Sequence, residues 1–258
     1  MSQSQLLLST WLLAEQQPFS GWDFSYLDDK VINELPPWSY ETMVRQQMAD
    51  RVRVQSALDL GTGGGEKLLE FKDIFPARMA ATEGYLPNLQ LARQRLVPYG
   101  VDVHHSEAAL AEILPFGNAE FDLVIDRHSG YNTRDVERVL KPGGVFLTQQ
   151  VDGKSLLDLF EAFDSQPHWP YFNLAFALER VAETHLVVEM AQEWTGKKIF
   201  KDVAALVYYL KAIPWIVDDF SVQTHLPYLE RQQERFEREG QLVFHERLLV
   251  LRARKPKF

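Results

Sequence analysis

Leu58-Asp59-Leu60-Gly61-Thr62-Gly63-Gly64-Gly65-Glu66 decides the fold. A short apolar strand runs into a turn crowded with glycine, and an amphipathic segment from Lys67 to Phe75 follows at once. Glycines at that place let bare backbone approach a ligand, and the opening of a helix offers it free N–H groups. On the C-terminal side the pattern repeats: a strand at 79–82, a helix at 86–97, then strands at 101–104, 121–125 and 144–148. Strands that alternate with helices build βαβ units, and right-handed crossovers wind them into a doubly wound parallel sheet. Beyond residue 150 the pattern predicts a helix at 154–163, a strand at 185–193, a helix at 203–211 and a charged helix at 226–239 stopped by Gly240. A final strand at 242–250 reads as an antiparallel edge. Residues 1–52 are rich in Trp, Phe and Tyr and predict two helices, at 4–16 and 40–52, parted by Pro36-Pro37. The expected architecture is a Rossmann-like α/β sheet of seven strands, mostly parallel. Residues 1–53 form a helical lid, and 54–258 form the main domain with a cap insertion at about 164–240.

Composition narrows the function. The chain has 258 residues, 46% hydrophobic and 24% charged, so it has the make-up of a globular protein rather than a disordered or fibrous one. Its 27 basic and 36 acidic residues give a formal charge of -9, which repels phosphate backbones and makes nucleic acid a poor partner. With no cysteine, disulfides, thiolate nucleophiles and cysteine metal clusters are excluded. His104, His105, His168, His185, His225 and His245 share no metal-ligand spacing, so no metal is expected. The apolar run Leu6–Ala14 lacks a preceding Lys or Arg, and no stretch has the length of a membrane span, so a cytoplasmic protein is the expectation.

The turn itself selects a ligand. Glu83 ends the next strand, 22 positions after Gly61, where a carboxylate can accept both hydroxyls of an adenosine ribose. The dinucleotide pattern G-x-G-x-x-G would need a third glycine where Glu66 stands, which disfavours a pyrophosphate. Carboxylates at Asp59 and Glu66 suit a ligand with an ammonium group and a sulfonium, and S-adenosylmethionine is such a ligand.

Across residues 54–150 the sequence resembles the class I S-adenosylmethionine-dependent methyltransferases, in particular the methyltransferase type 11 or UbiE-like group. The motifs that carry the resemblance occur in order: Asp59-Leu60-Gly61-Thr62-Gly63-Gly64-Gly65, Glu83, Ser106-Glu107-Ala108, Leu114-Pro115-Phe116 before Phe121-Asp122-Leu123-Val124, and Arg138-Val139-Leu140-Lys141-Pro142-Gly143-Gly144. It implies that Asp59, Gly61, Thr62, Gly63, Gly65, Glu83, Glu107, Ala108 and Asp126 face the cofactor. Glu107-Ala108 replaces the more usual Asp-Ala at the adenine, which asks a longer carboxylate to make that contact.

The stretch Asp126-Arg127-His128-Ser129-Gly130-Tyr131-Asn132 ends the fourth strand, where α/β sheets bind ligands. Asp126 and His128 could take a proton from the methyl acceptor. Equally, Asp126 could cap the turn and His128 pack beside it, because transfer from a sulfonium to a ready nucleophile needs positioning more than acid–base help. Trp22, Tyr131, Tyr208 and Trp215 are candidates for contact with the acceptor, with Trp22, Phe24 and Trp38 as a lid. The expected function is methyl transfer from S-adenosylmethionine to a small molecule by in-line displacement. Three other readings share parts of the pattern: an NAD-dependent oxidoreductase, a non-catalytic regulatory protein that binds the same cofactor, and an RNA methyltransferase, the last disfavoured by the acidic balance. The sequence leaves the acceptor atom and the oligomeric state open.

Overall fold

The computed structural model describes residues 3–106 and 113–257. Its strands are β1 (Val31–Asn33), β2 (Ser56–Leu60), β3 (Arg78–Glu83), β4 (Val101–His105), β5 (Phe121–Arg127), β6 (Leu140–Val151), β7 (Val187–Phe200) and β8 (Leu242–Arg254). The helices are α1 (Gln3–Glu15), α2 (Tyr40–Ala49), α3 (Glu66–Leu69), α4 (Leu86–Leu96), α5 (Thr133–Val139), α6 (Leu157–Ala162), α7 (Leu174–Ala182), α8 (Val203–Ala212) and α9 (Leu226–Glu239). One sheet carries all eight strands in the order β1-β7-β8-β6-β5-β2-β3-β4.

Strands β4, β3, β2, β5 and β6 are parallel, and β8, β7 and β1 complete the sheet antiparallel. The chain leaves β2 toward β3 in one direction and later returns to β5 on its other side. This reversal opens a crevice at the carboxyl ends of β2 and β5. The parallel strands read as apolar runs because both faces are covered. Ala57, Leu123 and Ile125 pack with Val44, Met48 and Leu89 on one face, while Leu58, Val124 and Phe146 pack with Tyr131 and Val136 on the other.

Two features differ from the sequence expectation. The N-terminal region is not purely a helical lid, since Val31–Asn33 pairs with Lys198–Phe200 and adds an eighth strand. The C-terminal strand is antiparallel as expected but lies between β6 and β7, so β1 and β4 form the edges. A third core cluster holds α1 to the sheet's far end: Trp11 and Ala14 pack with Leu206, Leu210 and Phe244. Several helices start at side chains that cap them. Ser39 accepts from Thr42 N, Asn173 from Phe176 N and Asp202 from Ala205 N, and Gly240, at φ +75°, ends α9 in the left-handed region.

Candidate active site

The crevice at the switch point opens into a cleft of about 2170 Å³. Its floor is the glycine turn. Gly61, Gly63 and Gly65 have φ of +61°, +62° and +84°, conformations that a side chain disfavours. At Gly61 a Cβ would also stand 2.3 Å from Ser129 Cβ, so this glycine is required for packing as well as for backbone shape. Glu83 holds the turn: its Oε2 accepts from Gly63 N and its Oε1 from Tyr85 N, both at 2.8 Å. An ionised carboxylate has about four acceptor positions, so two remain for ligand hydroxyls. Burial raises the Glu83 pKa above its ordinary value, and the backbone N–H groups of Tyr85 and Gly63 oppose that.

Asp59, next to last in β2, stands on the cleft wall. Burial raises its pKa to about 7, the nearby Glu83 carboxylate raises it further, and the polar Thr62 side chain and the Arg127 cation oppose them. A cationic ligand group would relieve that strain on both carboxylates.

Glu66 is used differently from the sequence expectation. Its carboxylate accepts from Trp22 N and pairs with Arg95 at 3.1 Å, and Arg95 also donates to Gly64 O at 3.0 Å. Glu66 therefore ties the N-terminal segment at Trp22 to the glycine turn, while still lining the cleft. Arg95, on α4, carries no motif that would have marked it.

The aromatic residues singled out in the sequence divide between the cleft and the core. Trp22 and Trp215 stack with centroids 5.9 Å apart and planes 5° from parallel, and both line the cleft, as does Tyr131. Tyr208 does not line it. That ring is 2% exposed and packs on Tyr26 at 4.4 Å, whereas its neighbour Tyr209 faces the cleft.

Asp126 is corrected as well. It is fully buried and does not reach the cleft lining; its Oδ1 accepts from Ser129 N and Ser129 Oγ at 3.2 and 2.9 Å. Burial raises its pKa well above the carboxylate range. It caps the turn from beneath rather than facing the cleft, and its Oδ2 is left without a hydrogen-bond partner.

His128 does line the cleft, largely buried, with φ +62°. Burial, then the cations Arg127 and Lys198, lower its pKa to about 3, so the ring is neutral near pH 7. Its Nε2 meets Gln149 Nε2 at 3.1 Å, and Gln149 Oε1 accepts from Trp38 Nε1 at 2.9 Å. Lys198 and Glu246, 3.6 Å apart on β7 and β8, also line the cleft and have no sequence signature. The expected adenine contacts Glu107 and Ala108 lie outside the described residues. Among the described residues no cluster of His, Asp and Glu could hold a metal ion.

These residues fit an adenosyl cofactor. Left-handed glycine backbone floors the pocket, Glu83 stands at its edge, and Asp59 is a buried acid on which burial outweighs the pull of Arg127. Residues 58–148 match the family described as a methyltransferase domain. The malonyl-[acyl-carrier protein] O-methyltransferase of Pseudescherichia vulneris is 28% identical over 171 residues, 62% of this chain. The chain spans about 65% of that relative's length. Among solved structures, the YcgJ protein of Bacillus subtilis matches with TM-score 0.60 and 16% identity over 85% of this chain and 99% of that one. Phosphoethanolamine N-methyltransferase 2 of Haemonchus contortus, in complex with S-adenosyl-L-methionine, matches with TM-score 0.53 and 16% identity over 96% of this chain and 56% of that one. These two likenesses show the shared fold. Residues 58–148 of the chain thus match a methyltransferase domain, on an α/β fold shared with a methyltransferase solved in complex with S-adenosyl-L-methionine.

Proposed function

We propose that the protein transfers a methyl group from S-adenosylmethionine to a small-molecule acceptor held in the cleft beneath the Trp22–Trp215 lid. The observation that carries this reading is the left-handed glycine turn at the switch point, tied to Glu83 at the tip of the neighbouring strand. The bound cofactor would supply the methyl on a sulfonium. The turn backbone would hold its amino-acid end, with Asp59 against the ammonium and Glu83 on the ribose. The stacked tryptophans would exclude water from the reacting atoms. The acceptor would lie between the lid and the surface made by His128, Tyr131 and Tyr209. The neutral His128 ring, with Nε2 already engaged, and the sealed Asp126 favour catalysis by positioning over proton removal. The relative's named O-methylation agrees with an oxygen acceptor. An acidic chain suits small molecules better than RNA.

Incubation with methyl-labelled S-adenosylmethionine and a cell extract, followed by separation by mass, tests the reading. Label is expected in the low-mass fraction and lost with Gly61→Ala. Label in RNA, or no transfer by a protein that binds the cofactor, would overturn it.

A further inference from the structure

We infer that Trp38 and Gln149 fix His128 in a single tautomer, with the proton on Nδ1, so that the ring serves as a hydrogen-bond donor to an acceptor group bearing an oxygen lone pair. The directions of the hydrogen bonds require the tautomer. Trp38 Nε1 can only donate, so the Gln149 atom 2.9 Å from it must be the carbonyl oxygen. That sets the amide, and its NH₂ then points at His128 Nε2, 3.1 Å away. An NH₂ can only donate, so Nε2 carries the lone pair and Nδ1 the proton. The backbone reinforces this arrangement, because His128 N donates to Gln149 O at 2.9 Å and a left-handed residue at φ +62° aims the ring. Such backbone in a residue other than glycine is uncommon and clusters at functional sites.

The pair Gln149 and Trp38 comes from distant segments, β6 and the lid, and Trp38 and Gln149 are both almost fully buried. A buried polar chain of this kind is maintained only where each member is satisfied. The charged groups that act on the ring are Arg127, the residue before it at the end of β5, and Lys198 from β7. Both are paired, with Glu41 at 3.4 Å and Glu246 at 3.6 Å, so these two carboxylates are engaged by the cations rather than by His128. Nδ1 has no partner among the described residues, and the ring lines the cleft. Gln149 is thus a positioning residue that acts through His128. The donor role rests on the cleft being the acceptor site, but the tautomer is measured without acceptor or cofactor, so the two fail separately.

Imidazole ¹⁵N correlation spectra of the whole protein between pH 5 and 8 test this, with the His128 signals identified by their loss in His128→Gln. The expected result is a protonated Nδ1, an unprotonated Nε2 and no titration across that range. In Gln149→Glu the carboxylate still accepts from Trp38 and now accepts from His128 too, so the proton moves to Nε2 and the ring titrates within the range. Sodium acetate, as an oxygen lone-pair probe, should shift Nδ1 in the parent protein, and methylammonium should not. An Nε2–H ring or a midpoint near 6–7 in the parent would overturn the inference. So would an unchanged tautomer in Gln149→Glu, a missing acetate shift or a methylammonium shift.

Discussion

Gly61→Ala probes the glycine turn most sharply, since two independent costs meet at one atom. The residue has φ +61°, and a left-handed conformation costs a side-chain-bearing residue about 1–2 kcal/mol. The new Cβ would also lie 2.3 Å from Ser129 Cβ and 2.5 Å from Ser129 Oγ. Neither atom is the far end of a flexible chain, and Ser129 is held by Asp126 Oδ1, so the strands must separate locally at about 1–3 kcal/mol. The sum is about 2–5 kcal/mol, or roughly 2–4 °C of melting temperature for each kcal/mol in a chain of this size. A double-mutant cycle separates the two costs. Ser129→Gly removes the clash but not the backbone cost, so its coupling to Gly61→Ala should equal the packing part, about 1–3 kcal/mol. Ser129→Gly alone is destabilising because Asp126 loses its hydroxyl donor. Urea unfolding of the four proteins measures the cycle, and calorimetry follows cofactor binding. A Gly61→Ala protein with parental stability, or a coupling of zero, would refute the packing read from this turn.

Glu83→Gln keeps a side chain of the same size but replaces one acceptor oxygen with an NH₂ facing a backbone N–H, and should weaken cofactor binding by about 1.5–3 kcal/mol by calorimetry. Glu83→Ala should lose at least as much and also lower stability, since Gly63 N and Tyr85 N lose their acceptor. Asp59 has a folded pKa of about 7 against an ordinary value of 3.8, so the folded state holds a proton that the unfolded state releases, and this part of the stability should fall as pH rises from about 4 to 7. Urea unfolding at pH 5 and pH 8 should show that fall in the parent and a smaller one in Asp59→Asn; an equal fall in both would contradict the assignment. Trp215→Ala removes half of the stacked pair and, if that pair covers the acceptor, should raise KM for the acceptor while leaving cofactor affinity within about threefold; a larger loss of cofactor affinity than of acceptor binding would place the ring on the cofactor instead.

The central sheet was legible because its strands are buried on both faces and so are apolar throughout. Ala57 to Leu60 and Phe121 to Ile125 could be read within a residue or two of their observed spans. The glycine turn and Glu83 were legible for a different reason, as left-handed backbone needs glycine and a turn tied to the next strand needs an acid at its tip. Val31–Asn33 was not, for three residues leave no periodicity and only their pairing with β7 makes them a strand. Adjacent Tyr208 and Tyr209 lie about 100° apart around one helix, so a change of face between them is invisible to composition. Asp126 and His128 show the same limit: their place after the fourth strand was readable, but which one sinks beneath the turn depends on Ser129, Gln149 and Trp38. Glu66 was assigned to the ligand on charge alone, and its true partners, Arg95 and the Trp22 backbone, come from segments 29 and 44 residues away.

Isothermal titration of the purified chain with S-adenosylmethionine, S-adenosylhomocysteine and NAD tests the central claim most directly. The glycine turn with Glu66 in place of the third dinucleotide glycine predicts saturable binding of both adenosyl ligands at micromolar concentration and none of NAD. Saturation with NAD and no heat from either adenosyl ligand would contradict it.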